Sequence, residues 1–249
     1  GSWPWPRSVH AELLDMLEAH GPKAVAFDIF FNEEDRFQDL SDEAFAESVA
    51  AKDNLFFASL RLGDGNPTPL SMLPPSFGAE QQPGANPDAS AILLVPGILP
   101  PENWRGGLVN FTADHDGIGR HTRLHEEIDG WRLPSLEATL ARFAGIPLPE
   151  SNRLRLHWYG QPPPTISYAD LFHDLESDDP KIAPTLAGKI VMVGATAPGL
   201  LDMRPTPLDQ QTHGVYIRST GLANLAAGDW LRDVPSRWPL LLVLAAGTA

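Results

Sequence analysis

The residues of this chain that could do chemistry are mostly acids. KAVAFDIFFNEED (23–35) sets one carboxylate, Asp28, inside an apolar run and follows it with Glu33, Glu34 and Asp35, with Asp39 shortly after. A carboxylate inside a strand costs several kcal/mol unless it is paired or hydrogen-bonded. Asp28 is therefore either a pocket residue or a structural anchor for the backbone amides of a neighbouring loop. The acids after it read as a solvated loop, because calcium needs oxygens at fixed spacing and a glycine turn, and this run has neither. Asp114-His115-Asp116-Gly117 imitates the opening of a calcium loop, but the third acidic position and the closing Glu do not follow, so a turn explains it.

His121 and His125 stand four apart with His115 nearby, and on a helix or a strand they would share a face. A third ligand is not evident, and exposed strand histidines are the simpler reading. Residues 194–199 (GATAPG) follow an apolar run as a phosphate loop would. Leu200-Leu201 stand where a Lys-Ser/Thr pair belongs, so no nucleotide site is expected, although a backbone nest for a small anion stays open. The chain has no Gly-x-Ser-x-Gly elbow, no HExxH and no cysteine, so no catalytic constellation, metal site or cofactor is expected. If the strands over 24–31 and 189–194 are parallel neighbours, Asp28, Thr196 and Asp202 converge at one sheet edge, with Arg120 as counter-ion. These four form the candidate ligand-binding set, because open α/β sheets gather ligands at the carboxyl ends of their strands. The alternative is a buried Asp–Arg network that only fixes loops.

The elements that would position them are readable from apolar spacing. Ser8 is placed to cap a helix to about His20, with Val9, Leu13, Met16 and Leu17 as its buried face and Gly21-Pro22 as its stop. Residues 23–31 read as a strand apolar on both faces, hence central. Ser41 is placed to cap a second helix to about Lys52, with Phe45 and Val49 inward, and residues 55–62 as a second strand. This alternation predicts a parallel sheet covered by helices. Residues 63–90, rich in Pro and Gly, interrupt it as a functional flap or a mobile insertion. Asp116-Gly117 and Asp129-Gly130 are hairpin signals, predicting a three-stranded meander. A helix capped by Ser135, a strand over 154–160, a helix capped by Ser167, a strand over 188–194 and a helix over 214–228 complete the pattern. The expected fold is α/β, a mainly parallel sheet flanked by helices, with an antiparallel β-meander insertion.

The totals set outer bounds. The 249 residues are 43% apolar, enough for a sizeable core, and carry a net charge of −14. That charge, with 18 Lys and Arg scattered along the chain, argues against nucleic acid as a partner, because phosphate contacts need clustered cations. Gly1-Ser2 reads as a remnant of cloning. WPLLLVLAAGTA (238–249) is apolar and nearly uncharged. A full membrane span needs about 20 such residues, so this dozen is either a short buried helix or the first half of a transmembrane one, with Arg237-Trp238-Pro239 as an anchor-like flank.

Six blocks in order carry a resemblance: residues 4–31 (PWPRSVHAELLDMLEAHGPKAVAFDIFF), 107–124 (GLVNFTADHDGIGRHTRL), 133–145 (LPSLEATLARFAG), 166–172 (ISYADLF), 186–207 (LAGKIVMVGATAPGLLDMRPTP) and 213–215 (HGV). Together they resemble the second type of CHASE domain, the cyclase/histidine-kinase-associated sensory extracellular domain, over nearly the whole chain. The resemblance implies an extracytoplasmic sensor over residues 3–237 of a bacterial receptor. It implies transmembrane helices after the sensor, the first starting at 238–249, and a cyclase or kinase as cytoplasmic output. It further implies a small-molecule or environmental signal and a homodimer. Three features depart from the family pattern. Another strand usually precedes the PWPR block, whereas here Trp3 opens it. A His-Ala-Asn element usually follows Gly-Val, where this chain has Ile217-Arg218-Ser219-Thr220. Gly119 is atypical after the Asp-Gly pair. Two other classes of function stay open: a periplasmic hydrolase using Asp28 and Asp202 as acid and base, and a protein-interaction module.

Overall fold

Helix, strand, helix, strand opens the described chain, as the alternating apolar periods require. The computed structural model describes residues 5–35, 38, 40–161, 163–196 and 202–232. In chain order the elements are α1 (Arg7–Glu18), β1 (Ala24–Asp28), α2 (Ser41–Ala50), β2 (Leu55–Arg61), β3 (Thr68–Pro69), β4 (Glu80–Gln81), β5 (Ser90–Ala91), β6 (Leu93–Leu94) and β7 (Gly106–Leu108). Then follow β8 (His121–Arg123), β9 (His125–Ile128), β10 (Trp131–Pro134), α3 (Leu136–Ala144), β11 (Arg153–Arg155), α4 (Tyr168–Leu175), β12 (Ile190–Gly194), β13 (Met203–Arg204), β14 (Thr212–His213) and α5 (Gly214–Ala227).

The main sheet runs β12-β1-β2 and continues to β7, all parallel, with β6 added antiparallel further along β2. In register, Asp28 sits opposite Gly194 and Phe27 opposite Phe57. Side chains alternate across a strand, and β1 divides its residues accordingly. Val25 and Phe27 enter a core with Leu13, Leu17, Phe45, Val49 and Leu171 on the α1, α2 and α4 side. Ala24 and Ala26 enter a second core with Leu136, Leu140, Leu222 and Leu225 on the α3 and α5 side. Asp28 follows Ala24 and Ala26 in parity, so it belongs to the α3 and α5 face. The first core is aromatic. Phe27 stacks on Phe57 at 5.7 Å between centroids, and Phe31 lies 4.7 Å from Phe45. His10 is buried among these rings, hydrogen-bonded to the Tyr168 hydroxyl at 2.9 Å. Burial, with Arg7 adding to it, lowers its pKa to about 4.

Several expectations shift in detail. The buried face of α1 is His10, Ala11, Leu13, Leu14 and Leu17, rotated from the Val9–Met16 stripe. Neither Ser8 nor Ser41 caps its helix. The Ser8 amide donates to Ser41 Oγ at 2.9 Å instead, tying α1 to α2. Ser135 and Ser167 do cap α3 and α4, accepting from the Ala138 and Asp170 amides. Asp129 (φ 48°) and Gly130 (φ 87°) form the left-handed turn between β9 and β10. The Asp116-Gly117 pair closes only a local turn, in which the Gly117 amide donates to the Asp114 carbonyl at 2.9 Å. The three-stranded antiparallel sheet is therefore β4-β10-β9, with its third strand drawn from the 63–90 segment, while β8 pairs with β11. That segment is docked. Leu70, Phe77, Ala89 and Ala91 form a third core with Leu108, Ile128, Trp131 and Leu133. Residues 1–4, Asp39, 197–201 and 233–249 lie outside the described residues, and with them the membrane-helix expectation for 238–249. No helix among the described residues is long and apolar enough to cross a membrane.

Phe27 is fully buried between β2 and the helices. Phe27→Ala should lower the stability to urea by about 3–5 kcal/mol, with an unchanged denaturant slope if the fold is retained.

Candidate functional site

Asp28 ends β1 at the carboxyl edge of the sheet and points to the α3 and α5 layer. Two charged residues wait there. Glu137 is the second residue of α3, set by the Ser135 cap one residue before the helix begins. An acid in a first helical turn is favoured by the helix dipole. Arg218 is the fifth residue of α5 and the sole charged side chain of that helix. Glu137 is 0% exposed and Arg218 5%, and Arg218 Nη1 donates to Glu137 Oε1 at 2.9 Å. Arg218 Nη2 donates to the carbonyls of Val109 at 2.8 Å and Asn110 at 3.3 Å, where the chain leaves β7. Thr122 of β8 donates its hydroxyl to Glu137 Oε1 at 3.2 Å. Glu137 Oε2 is buried and has no hydrogen-bond partner among the described residues.

Close approach of backbones makes this meeting possible. A Cβ on Gly107 of β7 would lie 2.5 Å from the Ser135 carbonyl carbon, and one on Gly194 would strike Val215 of α5. Glycine at these two positions brings α3 and α5 down onto the sheet.

The charges do not balance. Asp28 and Asp202 add two carboxylates to the Glu137–Arg218 pair, and among the described residues only Asp202, nearly half exposed, has a further cation, Arg204 at 3.7 Å. Burial pushes the Asp28 carboxyl from the ordinary 3.8 up to about 7; Arg218 opposes this, and Asp202 and Glu137 reinforce it. The side chain keeps a partial opening to solvent, yet enough protein surrounds it to desolvate the charged form. Burial also works against the Arg218 charge, but the carboxylates of Glu137 and Asp28 more than offset it and raise its pKa. The guanidinium is fixed as a cation, and Asp28, its carboxyl pushed up to about 7, is poised to exchange a proton near neutrality.

The candidate residues separate into two places. Asp28 and Asp202 share this cluster, with Asp202 against the first residue of α5: the Gly214 amide donates to its carbonyl at 3.0 Å, and a Cβ on Gly214 would strike its carboxylate. Thr196 is exposed in the loop that leaves β12 at the same edge. Arg120 is elsewhere, held by Asp116 through two bonds of 2.8 Å and by Asp114 at 3.2 Å. Hydrogen bonding to Asp116, then Asp114, raises its pKa, and the same bond to Arg120 holds Asp116 well below the usual carboxylate range. Arg218 takes the counter-ion place beside Asp28. The readable signal for it was one charge in the otherwise neutral GVYIRSTGLANLAA helix. Glu137 carried no such signal, because an acid in a first turn is ordinary. His121 and His125 fall in different sheets, and no group of three acids or histidines among the described residues could hold a metal ion.

Removing one member of a buried ion pair strands the other, so R218M should cost about 3–5 kcal/mol in urea unfolding. The double variant E137M/R218M should recover most of that loss; equal losses in the two would mean that Arg218 is held by its backbone carbonyls alone. Asp28 adds a pH dependence. Between 3.8 and about 7 the folded chain holds a proton that the unfolded chain has released, so its stabilising effect is complete below that window and is lost as pH rises through it. The urea midpoint of the natural chain should fall relative to D28N from the lower bound to the upper one and run level with it above; parallel curves throughout would rule this out.

A comparison with curated proteins finds no match, and neither does one with solved structures. The model of one family, described as the CHASE2 domain, matches residues 1–249. A match over the whole length, on an α/β domain with this buried cluster at the sheet's carboxyl edge, shows that the chain belongs to the CHASE2 family, the extracellular sensory domains of cyclase- and kinase-type receptors.

Proposed function

We propose that this domain is the extracytoplasmic sensor of a transmembrane receptor, and that the cluster of Asp28, Glu137, Asp202 and Arg218 is where its signal is received. The observation that carries this reading is a second desolvated acid, Asp28, beside the buried Glu137–Arg218 pair in a domain of a sensory family. Asp28 and Glu137 share the Arg218 guanidinium, while Asp202 is nearly half exposed and has Arg204 at 3.7 Å, so the cluster has two arrangements that differ by one charge. In one, Asp28 holds a proton. In the other it is ionised and competes with Glu137 for Arg218. A ligand at the rim, touching Asp202 and the exposed Thr196, selects between them through its own charge; Arg120, bound to Asp114 and Asp116, lies outside this rim. A two-state element biased by a few kcal/mol is what a receptor needs.

The route outward is α5. Arg218 lies in its second turn, and the helix runs to Ala227, from which the chain continues toward its apolar end. A change in the Arg218 contacts shifts α5 against α3 and the sheet, and paired helices passing such a shift into a membrane drive a cyclase or kinase through a homodimer.

The test uses the full-length receptor in membranes, with its nucleotide-cyclase or kinase output measured between pH 6 and 8. D28N should change the basal output several-fold and flatten its response to pH across neutrality. Output identical to the natural receptor at every pH, with the protein folded, would refute a sensory role for the cluster.

A further inference from the structure

The cavity beside β8 is built differently from the acidic cluster. It measures about 300 Å³ and is lined by Thr112, Asp114, His115, His121, Arg123 and Arg153, together with one alanine. Its walls come from the loop after β7, from β8 and from β11. We propose that it binds a small anion bearing a carboxylate or phosphate group.

Charge is the first argument. In a chain of net charge −14, this cavity has two arginines and two histidines facing one acid. That acid is already engaged: Asp114 Oδ1 accepts from Arg153 at 2.8 Å and lies 3.0 Å from His121 Nδ1, while Oδ2 accepts from Arg120. Asp116 satisfies the rest of Arg120. Arg123 makes no ion pair among the described residues; Glu126, which lines a neighbouring void with it, is taken by Arg61 at 3.0 Å. One guanidinium therefore stands uncommitted at a concave, locally positive site. Its planar fork matches the paired oxygens of a carboxylate or phosphate.

Order is the second argument. Asp114 holds Arg153 and His121 together, with Arg153 Nη2 also 3.0 Å from His121 Nδ1. Two donor-bearing side chains are thus fixed before any ligand arrives, and preorganised donors lose less freedom on binding. The volume falls at the small end of ligand cavities, which suits an anion of a few heavy atoms.

The cavity is also joined to the buried pair. Along β8, His121 and Arg123 line the cavity, while Thr122 between them points the other way and donates to Glu137. Arg123 and Thr112 further line a small neighbouring void that reaches Arg218. An anion that draws Arg123 inward moves β8, and Thr122 carries that displacement to Glu137. This link rests on the sensor reading above; binding itself does not.

The experiment titrates the chain calorimetrically with inorganic phosphate and, separately, with malonate, each against sodium chloride of matched ionic strength. Saturable heat is expected with at least one, the stronger of the two identifying the preferred head group. R123Q should weaken it at least tenfold at an unchanged melting temperature, since Arg123 is exposed and unpaired; R153Q serves as a second variant. Absence of saturable heat from both anions, or affinity unaltered in R123Q and R153Q, would overturn the site. If R123Q abolishes binding while receptor output is unmoved, the site stands and only its link to signalling falls. The D28N output measurement fails or succeeds independently of either result.

Discussion

The buried contact between Glu137 and Arg218 is the constraint around which the α3 and α5 side of the domain is arranged. Two charges in a dry interior contribute little net stability, because the desolvation of both offsets their attraction. What they demand is position. Arg218 ends within reach of two carbonyls after β7, and Glu137 within reach of Thr122 on β8. Three neighbouring segments of the middle of the chain and a helix whose arginine lies 81 residues beyond Glu137 must arrive together, or a charge is left stranded. The pair therefore fixes geometry more than it supplies energy, and it leaves room for Asp28 and Asp202 to tip the local balance.

The opposite face of the sheet has the reverse character. There the side chains are large and aromatic, and His10 is kept neutral inside them. Close-packed rings hold β1 and β2 rigid, so a change of charge at Asp28 is not absorbed by the strands that carry it. It must be taken up where the helices approach the sheet across glycine, at Gly107 with the Ser135 backbone and at Gly194 with the Val215 side chain. One layer is stiff and the other can be retuned.

Much of this was legible in the order of residues. The parallel pairing of 24–28 with 190–194, the capping by Ser135 and Ser167 and the hairpin at Asp129-Gly130 follow from apolar period and turn chemistry. So does the placing of Asp28 at the carboxyl edge. What escaped has physical reasons. A counter-ion is chosen by three-dimensional proximity, so Arg120 was a reasonable candidate until Arg218, 98 residues later in the numbering, proved to fold beside Asp28. The docking of the Pro-rich segment escaped because its apolar residues, Leu70 and Phe77, are too sparse to show a period. Gly119, odd in sequence, is explained by the Phe111 ring lying where a Cβ would be.

The 68–91 segment closes its own small interior around Leu70, Phe77 and Trp131. The Gln82 and Asn86 amides bond to the Gly130 and Asp129 carbonyls at the tip of the hairpin, at 3.0 and 2.9 Å. A unit sealed in this way can open and reclose without melting the main sheet. Its amides would then trade hydrogen with solvent on a clock of their own, and the domain would breathe in two separate rhythms.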